Sequence, residues 1–123
     1  MHKRYRLRPT QRLRRNVDFL SIRQKGKPYR CPFFAMYARL DDTPENTSGP
    51  RVGISASKRV GKAPARNAAK RRFRELFRLN QYKIDPRADI VISIRKPTVN
   101  AAAEDIEKRF LHALKFLGLR SPS

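Results

Sequence analysis

Residues 51–80 read RVGISASKRVGKAPARNAAKRRFRELFRLN, and two periodicities meet inside them. In 51–57, Val52, Ile54 and Ala56 alternate with Gly53, Ser55 and Ser57. That is the period-two pattern of a strand with one apolar face. After Pro64 the spacing changes. Ala69, Phe73, Leu76 and Phe77 recur at helical spacing and predict a helix running to about Asn80. Pro64 suits its first turn, where the missing N–H has no partner to lose. Arg66, Lys70, Arg74 and Arg78 stand four apart and form a basic ridge beside the apolar stripe, widened by Arg71 and Arg72. A strand thus passes directly into a helix that is apolar on one face and cationic on another.

The flanking sequence extends the pattern. Residues 29–40 predict a strand with Phe34, Met36, Ala38 and Leu40 on the core face. Phe33, Ala35, Tyr37 and Arg39 fall on the opposite face, where two aromatics and an arginine are unusual for plain solvent. Residues 41–50, DDTPENTSGP, form an acidic turn-rich loop. The small outward residues of 51–57 leave room for a ligand against the sheet. Residues 88–95 predict a further strand, with Ile90, Ile92 and Ile94 on one face and Val91, Ser93 and Arg95 on the other. The last helix carries Ile106, Phe110, Ala113, Leu114 and Leu117, with Asn100 as its expected cap and Glu104, Asp105 and Glu107 near its positive end. Near the start, Asn16 caps a short helix containing Val17, Phe19, Leu20 and Ile22, closed by Gly26. The expected architecture is α+β: a single small domain over 16–118 with helices packed on a mixed sheet, a flexible basic arm over 1–15 and a flexible tail over 119–123.

Charge narrows the function. The chain has 123 residues, with 30 Lys and Arg against 10 Asp and Glu, a net charge of +20. Self-repulsion of that size favours a polyanionic partner. The charge is also clustered, since residues 1–30 and 58–78 together hold 20 of the 30 basic residues. Guanidinium groups along a helix suit phosphate oxygens, which they can contact through two parallel hydrogen bonds. A solvated face would be the ordinary reading of a charge run, but acids are nearly absent from these two segments. Like charges four residues apart then destabilise the free helix. Membrane is disfavoured as the partner because no apolar run approaches bilayer length. The Arg-rich start lacks the apolar segment of a secretory signal, so a cytoplasmic location is expected. Cys31 is the sole cysteine and reads as a partly buried strand residue, which leaves no intrachain disulfide and no cysteine-based zinc site.

Aromatics on an open sheet face favour RNA, whose unpaired bases stack on Phe and Tyr. Catalytic constellations are missing. His2 lies in the arm, and His112 has no acid partner evident in sequence. Asp41, Asp42 and Glu45 sit in a loop of turn-formers, which is more often solvated than metal-binding. No phosphate-loop or zinc-ligand spacing occurs, so no metal site is expected on the chain.

Residues 57–77, SKRVGKAPARNAAKRRFRELF, resemble the signature of the bacterial ribonuclease P protein family. That signature is a Lys-Lys/Arg-Val/Ile-Gly-x-Ala stretch, then Arg-Asn-Arg, then a Lys-Arg pair. Lys58, Arg59, Val60, Gly61 and Ala63 match the first part, Arg66 and Asn67 the second, and Lys70 and Arg71 the pair. The entry to the first helix (Arg12, Leu13, Asn16, Val17, Asp18, Phe19), the strand around 34–37 and DIVISIRKP at 89–97 are similar to the family too. The resemblance covers about 10–118. Ala68 replaces the third residue of Arg-Asn-Arg, and Arg23 stands where many members carry an aromatic.

The resemblance implies a four-stranded mixed sheet with a left-handed βαβ crossover around the basic helix. It implies an accessory subunit of an endoribonuclease ribonucleoprotein, in which a catalytic RNA removes the 5′ leader of precursor tRNA. The required Mg2+ is expected to be held mainly by RNA. The expected catalytic-RNA contacts are Lys58, Arg59, Lys62, Arg66, Asn67, Lys70, Arg71 and Arg74. The expected leader contacts are Phe19, Phe33, Phe34, Tyr37, Asn67 and Arg95. No residue of the chain is expected to be catalytic. Two competitors remain at this point. A structural ribosomal-type RNA-binding protein would explain the charge but not the signature together with an aromatic sheet face. A stand-alone nuclease needs convergent acids or a histidine pair.

Overall fold

The computed structural model describes residues 21–22, 28–40 and 49–121. Four strands form one sheet: Tyr29–Arg30 (β1), Phe34–Leu40 (β2), Arg51–Ala56 (β3) and Ala88–Ile94 (β4). Their order is β1-β2-β4-β3, with β4 antiparallel to β2 and parallel to β3. Parallel neighbours need a crossover. The helix Ala63–Asn80 (α1) supplies it, and Ala103–Phe116 (α2) follows the sheet. This is the expected α+β class on a mixed four-stranded sheet.

The predicted alternation sets the core. Phe34, Met36, Val52, Ile90, Ile92 and Ile94 form one cluster with Ala69, Phe73 and Phe77 of α1 and Ile106, Phe110, Ala113 and Leu114 of α2. Both helices therefore cover the same sheet face. The opposite face has a smaller cluster, in which Ile22 packs on Val91 and Tyr37. Ser21 and Ile22 are helical, as expected, and Ile22 is fully buried.

Local chemistry explains how α1 starts. Ser57 caps a 3-10 turn over Lys58–Val60, its hydroxyl accepting from the Arg59 N–H at 3.3 Å. Gly61 follows with φ of 154°, a conformation open almost only to glycine. An added Cβ there would also stand 3.2 Å from the Ala65 Cβ. Pro64 then falls within the first turn of α1.

Several expectations change. The predicted strand over 29–40 is two strands, because β1 pairs antiparallel with β2 through Tyr29↔Met36 and Arg30↔Ala35. The chain bends at Pro32 and Phe33, where proline supplies no ladder donor, and the Cys31 N–H closes the turn onto the Phe34 carbonyl at 3.0 Å. Cys31 is buried in the core. Asn100 does not cap α2; it ends a 3-10 turn over Lys96–Asn100, and Ala102 takes the cap position without a side-chain bond. The expected flexible tail is partly folded. Leu119 is buried in the core, and Arg120 bridges to Ile84. The basic arm, Asn16, Gly26 and residues 41–48 lie outside the described residues.

Candidate nucleic-acid interface

An α-helix turns about 100° per residue, so the cations of α1 divide between two flanks. Arg66, Asn67, Lys70, Arg71 and Arg74 fall on one side of the buried stripe. Arg72 falls on the other, beside Leu76 and facing α2. There its guanidinium donates to the backbone carbonyls of Thr98 at 3.4 Å and Ala101 at 3.1 Å. Arg72 thus ties α1 to the segment leading into α2 and does not widen the ridge as the sequence suggested. Arg78 ends the ridge in an ion pair with Glu75. The hydrogen bond from Arg78 holds the Glu75 carboxyl below its ordinary range, and the same bond raises Arg78.

Arg66, Lys70 and Arg74 are half-buried, whereas Asn67 and Arg71 are exposed. The stems of the first three lie against protein while their charged ends reach the flank. Arg66 stands apart. Its Nε is the single buried side-chain polar atom among the described residues that has no hydrogen-bond partner. A buried donor without an acceptor costs about 1–3 kcal/mol.

The second sheet face begins with a charged row. Asp89 is fully buried and accepts from Arg39 Nε at 3.0 Å and from Arg51 Nε and Nη2 at 2.7 Å each. Arg39 also donates to the Ser21 hydroxyl at 3.0 Å, which joins the first helix to the sheet. Arg39, unusual for a solvent face, is therefore an internal strut. The next row holds half-buried Tyr37 beside Val91, under Ile22. Beyond it lie Ala35, Ser93 and Ser55, with the two serine hydroxyls 3.4 Å apart. Nothing larger than serine projects from this third row.

At the end of the sheet a cavity of about 470 Å³ is lined by Pro32, Ser57, Arg59, Val60, Ile94, Arg95, Lys96 and Pro97. It brings Arg59, expected to contact the catalytic RNA, together with Arg95, expected to contact the leader. The Arg95 Nη1 donates to the Cys31 carbonyl at 3.3 Å, which anchors it at the rim. Lys96 was missed by sequence reasoning; its signal was its place beside Arg95 at the end of DIVISIRKP. Lys58, Lys62 and Asn67 are exposed around the turn that launches α1.

One aromatic assignment does not hold. Phe34 is fully buried in the main core, with its ring 5.3 Å from that of Phe73. It has no face for a base. Phe33 precedes β2 at the bend and packs against the same core, while its carbonyl accepts from the Arg95 N–H at 2.9 Å and the Thr98 hydroxyl at 2.5 Å. The bend removes it from the alternation that had put it beside Tyr37. Phe19 lies outside the described residues.

Among the described residues there is no group of three or more His, Cys, Asp or Glu able to hold a metal ion, and no helix long and apolar enough to cross a membrane. Asp85 is largely buried, and Arg87 takes its carboxylate at 2.8 Å.

The flank, the glycine turn and, apart from Pro32, the cavity lining derive from 57–77 and 89–97. Comparison with known proteins finds the same segments in one family, whose profile, Ribonuclease P, matches residues 7–118. The ribonuclease P protein component of Listeria innocua is 33% identical over 104 residues, covering 85% of each chain. That of Clostridium novyi is 32% identical over 113 residues, covering 92% of this chain and 98% of the relative. Among solved structures, the RNase P protein of Staphylococcus aureus superimposes with a TM-score of 0.76 at 30% identity, over 89% of this chain and 96% of that one. The RNase P protein of Thermotoga maritima gives 0.73 at 32% identity, over 85% and 96%. Sequence and fold agree over nearly the whole chain, which belongs to the ribonuclease P protein family.

Proposed function

We propose that this chain is the protein subunit of a ribonuclease P holoenzyme in the cytoplasm, where it binds the catalytic RNA and the 5′ leader of precursor tRNA. The observation that carries the reading is the α1 flank. Arg66, Lys70, Arg71 and Arg74 share one side of the helix, where four cations within three turns suit a run of RNA phosphates. The leader runs along the second sheet face, from the cavity rimmed by Arg59, Arg95 and Lys96 across the small-residue row toward Tyr37. Such a surface holds a single strand by charge and stacking, with little sequence readout.

Cleavage belongs to the RNA. Among the described residues the largely buried Asp85 and Asp89 carboxylates are each bound by arginine, and the reading assigns the holoenzyme's Mg2+ mainly to the RNA. The protein's own work is electrostatic. Its flank and cavity lower the repulsion between two RNA backbones brought together, and the effect weakens as salt rises. The test is reconstitution with the cognate catalytic RNA at low magnesium. Leader removal should appear with both components and be absent with protein alone. Turnover by RNA-free protein, or no gain from adding protein to the RNA, would refute the reading.

A further inference from the structure

A second cationic site lies away from the α1 flank and the sheet face. After α1 the chain turns and pairs with the segment that follows α2. The Asp85 N–H donates to the Leu119 carbonyl at 2.7 Å, the Ser121 N–H to the Lys83 carbonyl at 2.7 Å, and Ile84 bridges antiparallel to Arg120. These bonds set Lys83 and Arg120 beside the C-terminal half of α2. A cavity of about 280 Å³ opens there, lined by Lys83, Leu111, His112, Leu114, Lys115 and Arg120.

Three of the six lining residues are permanent cations and none is an acid. Lys115 alone has an ordinary explanation, because a cation in the last turn of a helix is favoured by the helix dipole. Lys83 and Arg120 belong to other segments and are held here by backbone pairing. The acid nearest in sequence, Asp85, is committed to the Arg87 side chain and N–H. Like charges around one concavity repel unless an anion enters it. Buried Leu114 and half-buried Leu111 add an apolar floor. Beside it, Lys83 Nζ stands 5.6 Å from the ring centre of Tyr82, which is 58% exposed. Cations around a concavity, with an exposed aromatic alongside, are the elements that bind a nucleotide strand.

We propose that this cavity is a second RNA-binding site, which takes a backbone phosphate among Lys83, Lys115 and Arg120 and stacks an adjoining base on Tyr82. It rests on the RNA-binding reading above. The occupant is a strand of the catalytic RNA or of precursor tRNA, which share this chemistry.

The test uses the full chain carrying Lys83→Ala, Lys115→Ala and Arg120→Ala together. Affinity is measured against salt, for the cognate catalytic RNA and, in reconstituted holoenzyme, for precursor tRNA. Loss of that phosphate contact should lower the log-affinity versus log-salt slope by about 1 for one of the two RNAs, which identifies the occupant. The thermal midpoint should stay near that of the parent. A charge-keeping set, Lys83→Arg, Lys115→Arg and Arg120→Lys, should keep the slope. Unchanged slopes for both RNAs in the alanine set, or equal loss in the charge-keeping set, would overturn the proposal. Arg71→Ala run in parallel separates the two readings. If it lowers the slope and the triple variant does not, only the second site fails. If neither does, the RNA-binding reading fails with it.

Discussion

Replacing Asp89 with Asn removes the one carboxylate that joins β2, β3 and β4 on the second sheet face. The side chain is fully buried and accepts three guanidinium N–H groups at 3.0, 2.7 and 2.7 Å. Asn keeps the shape but is neutral, and its amide presents donors where the carboxylate accepted. Breaking a buried pair by removing one partner costs about 3–5 kcal/mol. Here the partners are not sealed, since the side chains of Arg39 and Arg51 are 24% and 27% exposed and can regain water. The expected loss is therefore about 2–3 kcal/mol, below that range. For a domain of this size that lowers the thermal midpoint by about 8–12 °C. Circular dichroism during heating and urea unfolding should agree on the loss. Arg51→Ala should cost less, because it removes two of the three bonds and leaves Arg39 on the carboxylate. A drop for Asp89→Asn below about 0.5 kcal/mol would show that the two arginines are solvated equally well without it, and the strut would not be one.

Other outcomes follow from the same geometry. Arg66→Ala and Arg71→Ala should each lower the salt slope of catalytic-RNA binding by about 1, read by filter binding. Arg72→Ala should leave the slope unchanged and lower the thermal midpoint, since its partners are the Thr98 and Ala101 carbonyls. Tyr37→Ala should weaken holoenzyme binding of leader-bearing tRNA by about 1–3 kcal/mol and spare mature tRNA; equal losses would assign Tyr37 to packing under Ile22. Asp85 should contribute to acid sensitivity. The Arg87 hydrogen bond holds its carboxyl below the ordinary range, so its stabilisation is present above about pH 4 and lost as pH falls through the folded value. Asp85→Asn should flatten the stability–pH curve in that window, as followed by urea midpoints.

The parts of the fold legible in the sequence were those governed by local period. Ala69, Phe73 and Phe77 marked the buried stripe of α1 because helical spacing is a property of neighbours. Ile90, Ile92 and Ile94 marked the core face of β4 in the same way. What the sequence concealed depends on pairing at a distance. Asp89 carried no reading of its own, because its partners Arg39 and Arg51 are 50 and 38 residues away. Phe33 followed the alternation until Pro32 bent the chain, and a period-two count does not register that reversal. Arg72 lies within the basic run, but 100° per residue turns it toward α2. Lys83 and Arg120 carry no shared motif, and backbone pairing of 83–85 with 119–121 brings them together.

Register also sorts the second sheet face into three rows of different chemistry. Because β4 lies between β2 and β3, each of its residues on that face has two lateral neighbours: Asp89 lies between Arg39 and Arg51, Val91 between Tyr37 and Gly53, and Ser93 between Ala35 and Ser55. The first row is filled by its own ion pairs. The second is roofed by Ile22, which leaves Tyr37 half-buried at the margin. The third holds only methyl and hydroxymethyl groups, with Ser55 and Ser93 half-buried and Ala35 buried. It adjoins the cavity with Arg59, Arg95 and Lys96, where phosphates would be held. On the proposed function, a leader base enters from the cationic end, lies over Ser93 and stops against Tyr37. The Ser21–Arg39–Asp89 linkage ties residues 21–22 to the sheet at the opposite end of that face.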